Sequence, residues 1–416
     1  MPGLITERNF PTSWTIKRFK YCAQICNGGE YSDIEVEEGG YPVIGSGGEF
    51  ARASKFSYCG KSVLLGRKGT VDKPLFVDGA FWCVDTMFYT KIKDFVYEKY
   101  LYYCALCFPF DYYVTSTALP SMTQRDLGSQ EIAVPPKKEQ KAIADFLDKE
   151  CAQIDSIAAD LEKQIALLQQ YKKSLITETV TKGLDKSVPM KDSGVEWIGE
   201  IPNTWDCKKM KYVISEPLQY GANEAGDDYK EDYPRYIRIT DITEENSLKD
   251  DGKLSLSLDI AKPYLLKDGD LLFARSGATV GKTFYYTSNY GTCAFAGYLI
   301  KARFNQDKMN PKFVYYTTLG IGYENWKNTV FTQATIQNIG ADKYAQLYIT
   351  IPSMKEQNEI IAYLDTQCKA IDDVIHSKYQ QLSTIQQHKK SLIYEYVTGK
   401  KTSEGGAARW PSKQGN

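Results

Sequence analysis

The segment from Ser276 to Thr283 comes nearest to a nucleotide-binding motif in this chain of 416 residues. It reads Ser-Gly-Ala-Thr-Val-Gly-Lys-Thr, a Walker A loop whose first glycine is replaced by serine. A Walker A loop binds phosphates through backbone amides and one lysine, and it is followed by a helix. Here the following sequence, Phe284-Tyr-Tyr-Thr-Ser-Asn-Tyr-Gly291, predicts a strand and a turn. We interpret the segment as a basic, glycine-bent loop that approaches phosphates, with a structural turn or a nucleotide site as alternatives.

The cysteines and histidines do not form a convincing metal motif. Cys104-Ala-Leu-Cys107 has metal-like spacing, but it lies in an apolar stretch that predicts a helix, and Cys22 and Cys26 form another pair. The chain has only His376 and His388, so a four-ligand zinc site would require all four cysteines to converge. Packing of reduced thiols in a core is the better interpretation.

Motifs for catalysis are also missing from the sequence. No Asn/Asp-Pro-Pro-Tyr motif of an amino-methylase occurs, the nearest string being Asn310-Pro-Lys-Phe313. There is no glycine-rich cofactor loop behind a first strand, no carboxylate and lysine cluster of a nuclease, and no catalytic triad. The sequence therefore predicts recognition and not an enzyme.

Composition indicates an ordinary soluble protein of two to three domains, with 43% hydrophobic and 25% charged residues. No apolar run approaches the roughly 18 residues of a membrane span, and the first residues lack the features of a signal peptide. We expect a cytoplasmic protein without a membrane partner. Because the net charge is only −1, a polyanion must be bound by local basic clusters.

A long internal repeat must position these loops. Residues 132–182 recur without a gap as residues 349–399, at a constant offset of 217. The match includes Lys172-Lys-Ser-Leu-Ile176 against Lys389-Lys-Ser-Leu-Ile393. A period of this length is not that of a solenoid repeat, and it indicates a doubled half-molecule.

Each copy of the repeat has the heptad pattern of a coiled coil. We expect roughly 45 helical residues in each copy, a helix of almost 70 Å at about 1.5 Å per residue. Two separate surface helices are the alternative, but duplication at identical length favours pairing of the two helices with each other. The predicted pairing positions are apolar and seven residues apart: Leu147, Ile154, Leu161, Leu168, Leu175, Leu364, Ile371, Ile385 and Leu392.

The blocks outside the repeat are related more weakly. Residues 10–21 match residues 201–212 around a Pro-x-x-Trp sequence, and Leu64-Leu-Gly-Arg-Lys-Gly-Thr70 resembles Leu272-Phe-Ala-Arg-Ser-Gly-Ala278. Similar scaffolds with different loops indicate two versions of one recognition module. Arg238 and Asp241 rank lower as binding residues, because they could equally form a structural ion pair.

The order of block, helix, block, helix resembles the specificity subunit of type I restriction-modification systems, over about residues 10–400. The resemblance rests on three features. They are the Pro-x-x-Trp sequence at the start of each block, the Asp-Leu-Leu-x-x-Arg-x-Gly-x-x-x-Gly-Lys pattern of residues 270–282, and the Pro-x-x-x-Glu-Gln sequence at the start of each long helix. The first block departs from the central pattern, with Gly66-Arg-Lys-Gly-Thr-Val-Asp-Lys73. The resemblance implies an α+β fold with approximate twofold symmetry, in which two target-recognition domains are separated by an antiparallel coiled coil. It implies these domains: residues 1–134, target recognition; 135–185, central helix; 186–350, target recognition; 351–400, C-terminal helix; 401–416, flexible tail.

The resemblance further implies double-stranded DNA, two methyltransferase subunits and restriction (translocase) subunits as partners. S-adenosylmethionine, ATP and Mg²⁺ would be bound by those subunits, with no cofactor in this one. The candidates for contact with phosphates or base edges are polar loop residues and the glycines beside them: Arg67, Lys68, Gly69, Lys73, Thr123, Gln124 and Arg125 in the first block, and Arg275, Ser276, Gly277, Lys282, Thr283, Thr332, Gln333, Thr335 and Gln337 in the second. A solvated loop is the alternative for each of them. A protein-binding adaptor and an enzyme that uses the Walker-like loop remain alternatives for the whole chain.

Overall fold

The structure, a computed structural model, describes residues 12–113, 120–243, 246–277, 279–332 and 338–401. Its strands in the first half are β1 Thr15–Arg18, β2 Ala23–Asn27, β3 Tyr41–Gly45, β4 Gly48–Ala53, β5 Tyr58–Cys59, β6 Ser62–Gly66, β7 Leu75–Val77, β8 Ala80–Cys83, β9 Met87–Ile92 and β10 Glu131–Val134. Those in the second half are β11 Met190–Asp192, β12 Glu200–Pro202, β13 Asp206–Lys209, β14 Gln219–Tyr220, β15 Asp227–Asp228, β16 Arg235–Ile237, β17 Leu254–Ser255, β18 Leu271–Ala274, β19 Thr283–Tyr285, β20 Cys293–Phe295, β21 Leu299–Ala302 and β22 Tyr348–Ile351.

The α-helices include the two long helices that the repeat predicts. They are α1 Phe19–Cys22, α2 Glu98–Leu106, α3 Phe110–Tyr113, α4 Gln124–Ser129, α5 Lys137–Lys182, α6 Leu258–Ala261, α7 Pro311–Leu319, α8 Ile321–Thr332, α9 Ala341–Ala345 and α10 Met354–Val397. Short 3₁₀ helices span Ser32–Ile34, Met210–Tyr212, Ile239–Asp241, Lys262–Tyr264 and Ser288–Tyr290. The α+β class is confirmed. None of the helices in the described residues has the length and apolarity needed to cross a lipid bilayer.

The chain forms two compact units, and each contains part of both long helices. Unit 1 consists of residues 1–162 and 379–416, and unit 2 consists of residues 163–378. The division falls within α5 and within α10. Each unit therefore combines one globular block with one end of each long helix.

Unit 1 contains two four-stranded sheets with the orders β2-β9-β6-β7 and β4-β3-β8-β5. Its first sheet is antiparallel throughout, and its second includes the parallel pair of β3 and β8. Strand β6 is buried along its whole length because Val63 and Leu65 pack in one core with α2, while Leu64 packs in another core with the second sheet. The first strand, β1, pairs with the last, β10, so the block closes next to the start of α5.

Unit 2 repeats this arrangement. Its antiparallel sheet has the order β14-β21-β18-β19, which matches β2-β9-β6-β7 strand for strand. Its second sheet, β15-β17-β16-β20, also contains one parallel pair, β16 with β20. The pairing of β13 with β22 closes the block as β1 and β10 do in unit 1. The weak sequence similarity between the blocks therefore corresponds to one fold.

The same aspartate of the helical repeat anchors each block to its long helix. In unit 1 the Asp148 carboxylate accepts hydrogen bonds from Lys99 Nζ at 2.6 Å and from Tyr103 Oη at 2.8 Å. In unit 2 the corresponding residues are Asp365, Lys312 (2.7 Å) and Tyr316 (2.5 Å). Burial and the hydrogen bond to the carboxylate raise the pKa of both tyrosines, so each remains a donor.

A glutamine near the start of each long helix makes a second repeated contact. Gln140 is 1% exposed and its side-chain oxygen accepts a hydrogen bond from the backbone N–H of Tyr97 at 2.7 Å. Gln357 is fully buried and accepts from the N–H of Asn310 at the same distance. This explains the Glu-Gln sequence at both helix starts, since a buried amide must have its hydrogen bonds satisfied.

The two long helices pair antiparallel within each unit. In unit 1 Lys389 Nζ lies 2.6 Å from the Asp155 carboxylate, and in unit 2 Lys172 Nζ lies 2.5 Å from the Asp372 carboxylate. These are the same two positions of the repeat with the helices exchanged. The Phe146 and Tyr396 rings, 4.6 Å apart in unit 1, and the Lys378 to Gln164 hydrogen bond in unit 2 show the same opposite direction of the two helices. The antiparallel coiled coil is therefore confirmed within each unit.

The predicted pairing positions are mostly covered. Leu147 and Leu364 are fully buried, Leu161, Ile371 and Leu392 are less than 9% exposed, and Ile154, Leu168, Leu175 and Ile385 are half-buried. Lys378, which interrupts the apolar seam of the second copy, donates to Gln164.

A glycine after the edge strand of each antiparallel sheet is required by close backbone contact. A Cβ atom at Gly28 would lie 1.8 Å from the carbonyl oxygen of Val84, and one at Gly221 would lie 2.3 Å from that of Ala296. Neither glycine has a positive φ, so the requirement is space and not backbone conformation.

We expect Gly28→Ala to lower the free energy of unfolding of unit 1 by about 3 kcal/mol, because the backbone of Gly28 or Val84 must move. Urea denaturation with a spectroscopic probe of unit 1 measures the change. Gly47→Ala is the matched control, since no heavy atom lies within 4 Å of its added Cβ and its φ is not positive. Equal stabilities for the two variants would contradict the close contact.

Candidate nucleic-acid interface

The loop after β18 in unit 2 is fixed to two neighbouring segments by the backbone of Arg275. The Arg275 N–H donates to the carbonyl of Tyr298 at 3.0 Å, and its carbonyl accepts from the N–H of Ile339 at 2.8 Å. Ser276 forms an isolated β-bridge with Asn338. Three segments therefore meet at this end of the antiparallel sheet.

The loop after β6 in unit 1 makes the same contacts. The Arg67 N–H donates to the carbonyl of Thr86 at 2.9 Å, and its carbonyl accepts from the N–H of Met122 at 3.0 Å. Lys68 and Ser121 form the corresponding bridge. The structure therefore equates Arg67 with Arg275, as the sequence comparison of residues 64–70 with residues 272–278 predicted.

The glycine after each loop arginine has left-handed backbone geometry. The φ angles are +77° at Gly69 and +79° at Gly277, and both positions leave open space where a side chain would be. The backbone turns sharply there because glycine adopts this conformation without steric cost. An open glycine at a sheet end also allows a ligand to approach the backbone.

The described part of the Walker-like segment in unit 2 belongs to a β-hairpin. Strand β18 pairs antiparallel with β19, and the Gly281 N–H donates to the Ala274 carbonyl at 2.8 Å. The chain after the loop is therefore a strand, followed by a 3₁₀ turn at Ser288–Tyr290, as predicted. A P-loop needs a helix at this point, and this geometry opposes a nucleotide site.

The two loop arginines have different side-chain surroundings. Arg67 Nη1 donates to the carbonyl of Asp85 at 3.1 Å. The Arg275 guanidinium lies 4.8 Å from the centroid of the Tyr220 ring, and its buried Nε has no hydrogen-bond partner among the described residues. A shared backbone frame therefore holds two chemically different sites.

Other candidates in unit 1 have defined local roles. The Thr123 hydroxyl caps α4 by accepting from the Asp126 N–H, and the Asp126 carboxylate accepts from the Thr123 N–H. Gln124 Nε2 donates to Asn27 Oδ1 at 2.9 Å. Lys68, Lys73 and Arg125 are exposed.

The remaining candidates in unit 2 are less uniform. Thr283 is 2% exposed and its hydroxyl shares a hydrogen bond with Thr318, so we remove its side chain from the set that can reach a ligand in this state. Lys282 is half-buried. The side chain of Thr332 and all of Gln333, Thr335 and Gln337 lie outside the described residues.

Arg238 and Asp241 form the structural ion pair that we considered in the sequence. Arg238 donates to both carboxylate oxygens of Asp241, at 2.7 and 3.1 Å, and Asp241 is 4% exposed. The hydrogen bond to Asp241 raises the pKa of the guanidinium. The pair braces the connection between β16 and β17.

Sequence reasoning missed the residues that end the edge strands. Asn27 in unit 1 and Tyr220 in unit 2 are structurally equivalent. Each precedes a glycine whose N–H donates to the carbonyl of the first residue of the neighbouring strand in the sheet, β9 or β21. Asn27 Oδ1 accepts from Gln124 Nε2, and Tyr220 Oη accepts from the N–H of Ala341. These partners are also equivalent, because Gln124 and Ala341 are the first residues of α4 and α9. In the sequence these residues are marked only by the glycine that follows each of them. A glycine predicts a turn, but it does not predict which distant residues contact that turn.

An exposed Lys-Tyr pair also recurs in both units and was not selected from the sequence. Tyr21 and Tyr212 are 60% and 61% exposed, and the preceding lysine of each lies about 5 Å from the ring centroid, at 5.1 and 5.0 Å. The repeat of residues 10–21 as residues 201–212 contained this signal, because both tyrosines close the match.

Loops of different length follow the equivalent strands β3 and β16. The connection between β3 and β4 in unit 1 is a tight hairpin at residues 45–48, beside a cleft of about 430 Å³ lined by Tyr31, Phe50 and Thr86. The equivalent connection in unit 2 runs through residues 238–253. Unequal loops on one frame alter the surface that a ligand meets.

The cysteine pair at 104 and 107 lies in or beside helix α2, as predicted. Cys104 is fully buried, and burial raises its pKa well above the usual thiol value and that of Cys107 to about 12. A raised pKa opposes the thiolate that zinc requires. Within the described ranges, no three His, Cys, Asp or Glu side chains are grouped as metal ligands.

The fold and its loops define a duplicated α+β protein with two related binding modules on one pair of long helices. A family model described as the type I restriction modification DNA specificity domain matches residues 11–167 and again residues 222–392. The two matches cover more than half of the chain, and the chain belongs to this family.

Similar curated proteins carry the same family name. The MjaVIII specificity subunit of Methanocaldococcus jannaschii is 23% identical over 290 residues, which cover 68% of this chain and 65% of that protein. The EcoBI specificity subunit of Escherichia coli is 22% identical over 349 residues, 79% of this chain and 73% of that protein. A chain solved in a study of complex assembly of the type I R-M system aligns with a TM-score of 0.68 at 13% identity. The alignment covers 94% of this chain and 100% of the solved chain. That likeness confirms the fold.

Proposed function

We propose that this chain is the specificity subunit of a type I restriction-modification complex and that each unit binds one half of a bipartite DNA sequence. The observation that carries the proposal is the repeated loop at residues 67–69 and 275–277. The backbone contacts of its arginine are the same in both units, while the side chains around it differ. A common frame with different side chains is what two different half-sites require.

We further propose that the two long helices dock two methyltransferase subunits. Ile157 on α5 and Val374 on α10 are equivalent positions of the repeat, and they are 50% and 46% exposed. A large apolar side chain left exposed at the same place twice suits two copies of one protein partner. We assign the chemistry of methylation and cleavage, with S-adenosylmethionine, ATP and Mg²⁺, to partner subunits and none of it to this chain.

The test is a mobility-shift assay with the chain alone and with methyltransferase subunits. Because the net charge is −1, we expect weak, unselective binding by the chain and sequence-selective, salt-sensitive binding by the complex. Selective, tight binding by the chain alone would contradict a need for the partner. A complex that assembles but shows no sequence preference would instead favour the protein-binding adaptor.

A further inference from the structure

The guanidinium group of Arg275 lies over an aromatic ring. Its Cζ lies 4.8 Å from the centroid of Tyr220, and its buried Nε has no hydrogen-bond partner in the described part of the chain. Buried donors in folded proteins are nearly always satisfied. The Nε atom itself is covered by the protein, but Arg275 as a whole is only half-buried, so a ligand can supply acceptors to the part of the guanidinium that stays accessible.

The surface around Arg275 is open to such a ligand. Tyr220 is 41% exposed, and Tyr298, whose carbonyl holds the Arg275 backbone, is 64% exposed. Large aromatic side chains at this exposure on a polar sheet end indicate a contact surface, since they combine apolar area with a polar tip.

Arg67, the equivalent residue in unit 1, does not share this state. Its guanidinium already donates to the Asp85 carbonyl, and Asn27 occupies the position of Tyr220, so the aromatic neighbour of Arg67 is a different ring, Phe88, at the longer distance of 5.9 Å. The frame of the loop therefore does not demand an unpaired arginine. The arrangement in unit 2 is specific to what unit 2 binds.

A ligand group with two hydrogen-bond acceptors in one plane would match the N–H donors of the planar guanidinium group. Guanine offers O6 and N7 in the major groove, and arginine binds that edge with two hydrogen bonds. A phosphate group also offers two acceptors. The next loop residues, Ser276 and Gly277, are neutral where unit 1 has Lys68, while Lys282 lies across the same hairpin, where its carbonyl accepts from the Ala274 N–H. The dependence of binding on base sequence therefore separates a base-edge contact from a phosphate contact.

We propose that Arg275 reads a guanine in the half-site bound by unit 2 and that Tyr220 is a positioning residue that holds its guanidinium plane. The assignment deepens the proposed function and rests on it.

The experiment measures binding of the assembled methyltransferase complex to a DNA library in which every position of both half-sites varies. We expect Arg275→Lys to reduce the preference for guanine at one position of one half-site by roughly 10- to 100-fold and to leave the other half-site unchanged. Arg275→Gln should move the preference at that position towards adenine, because glutamine pairs with the adenine edge. Tyr220→Leu should weaken the same preference, whereas Tyr220→Phe, which keeps the ring, should retain it.

Arg67→Lys is the matched control in unit 1, and it should leave the half-site read by unit 2 unchanged. An equal loss of affinity for all sequences in Arg275→Gln, with a salt dependence reduced by about one ion because the positive charge is removed, would identify a phosphate contact and overturn the assignment. An unchanged preference in both Arg275 variants would also overturn it. Absence of any bipartite preference in the unaltered complex would contradict the proposed function itself.

Discussion

A chain in which residues 1–134 are replaced by a second copy of residues 190–351 is expected to recognise the same base sequence in both halves of its target. Both blocks end on a strand that pairs with the first strand after the buried tryptophan, Trp14 or Trp205. The junction with the long helix therefore has the same geometry in each case. Sequencing of methylated motifs in cells that contain the methyltransferase measures the result.

The second block should fold in the first position because the helices offer it the same surface. Five helix residues buried in each core are of identical type at positions related by the 217-residue offset: Ile143 and Ile360, Leu147 and Leu364, Cys151 and Cys368, Ile176 and Ile393, Val180 and Val397. Two buried positions differ, Ala144 against Ile361 and Thr179 against Tyr396. Asp148 would accept from Lys312 and Tyr316 of the new block as Asp365 does now.

The reciprocal chimera, with residues 12–134 in place of residues 190–351, is the control. It should duplicate the other half-site. If either chimera is folded and methylates the original asymmetric target, the two units do not read DNA independently, and the proposed division of the target is wrong.

The double variant Ile157→Asp, Val374→Asp is expected to lose both methyltransferase subunits, and each single variant is expected to lose one. A buried carboxylate without a partner is strongly unfavourable at an interface, and we expect at least a tenfold weaker association per site, about 1.4 kcal/mol or more. Native mass spectrometry of the assembled complex gives the stoichiometry directly.

Ala159→Asp controls for the added charge. It lies on the same turn of α5 as Ile157 and is also exposed, but two residues along a helix point in different directions. We expect this variant to keep both partners. Full stoichiometry in the Ile157 and Val374 variants as well would show that the repeated apolar positions are not the docking surface.

The sequence alone determined the helical scaffold and the family resemblance. A gapless repeat with a seven-residue apolar period dictates two long helices with the same buried stripe, because the helix places residues seven apart on one face. Asp155 with Lys389 and Asp372 with Lys172 then follow from antiparallel pairing of identical surfaces. The Pro-x-x-x-Glu-Gln starts were visible, although the role of Gln140 and Gln357 as buried acceptors was not.

The candidate interface was only partly predictable. The loop arginines and glycines appeared as a local motif, since Arg67-Lys-Gly69 and Arg275-Ser-Gly277 align directly. The residues around Thr283 in the sequence did not predict that its hydroxyl is buried against Thr318. That contact joins a strand to a helix residue 35 positions further along the chain.

Only the tertiary structure decided which side chains surround each arginine. Tyr220 is 55 residues from Arg275 in the chain and reaches it because β14 and β18 lie on either side of β21 in one sheet. Asn27 and Gln124, 97 residues apart, meet in unit 1 because the segment before α4 forms backbone contacts with the loop after β6, through Lys68 with Ser121 and Arg67 with Met122. Strand pairing sets such neighbours through long-range backbone hydrogen bonds. A local pattern can therefore identify the loop but not the residues that give it specificity.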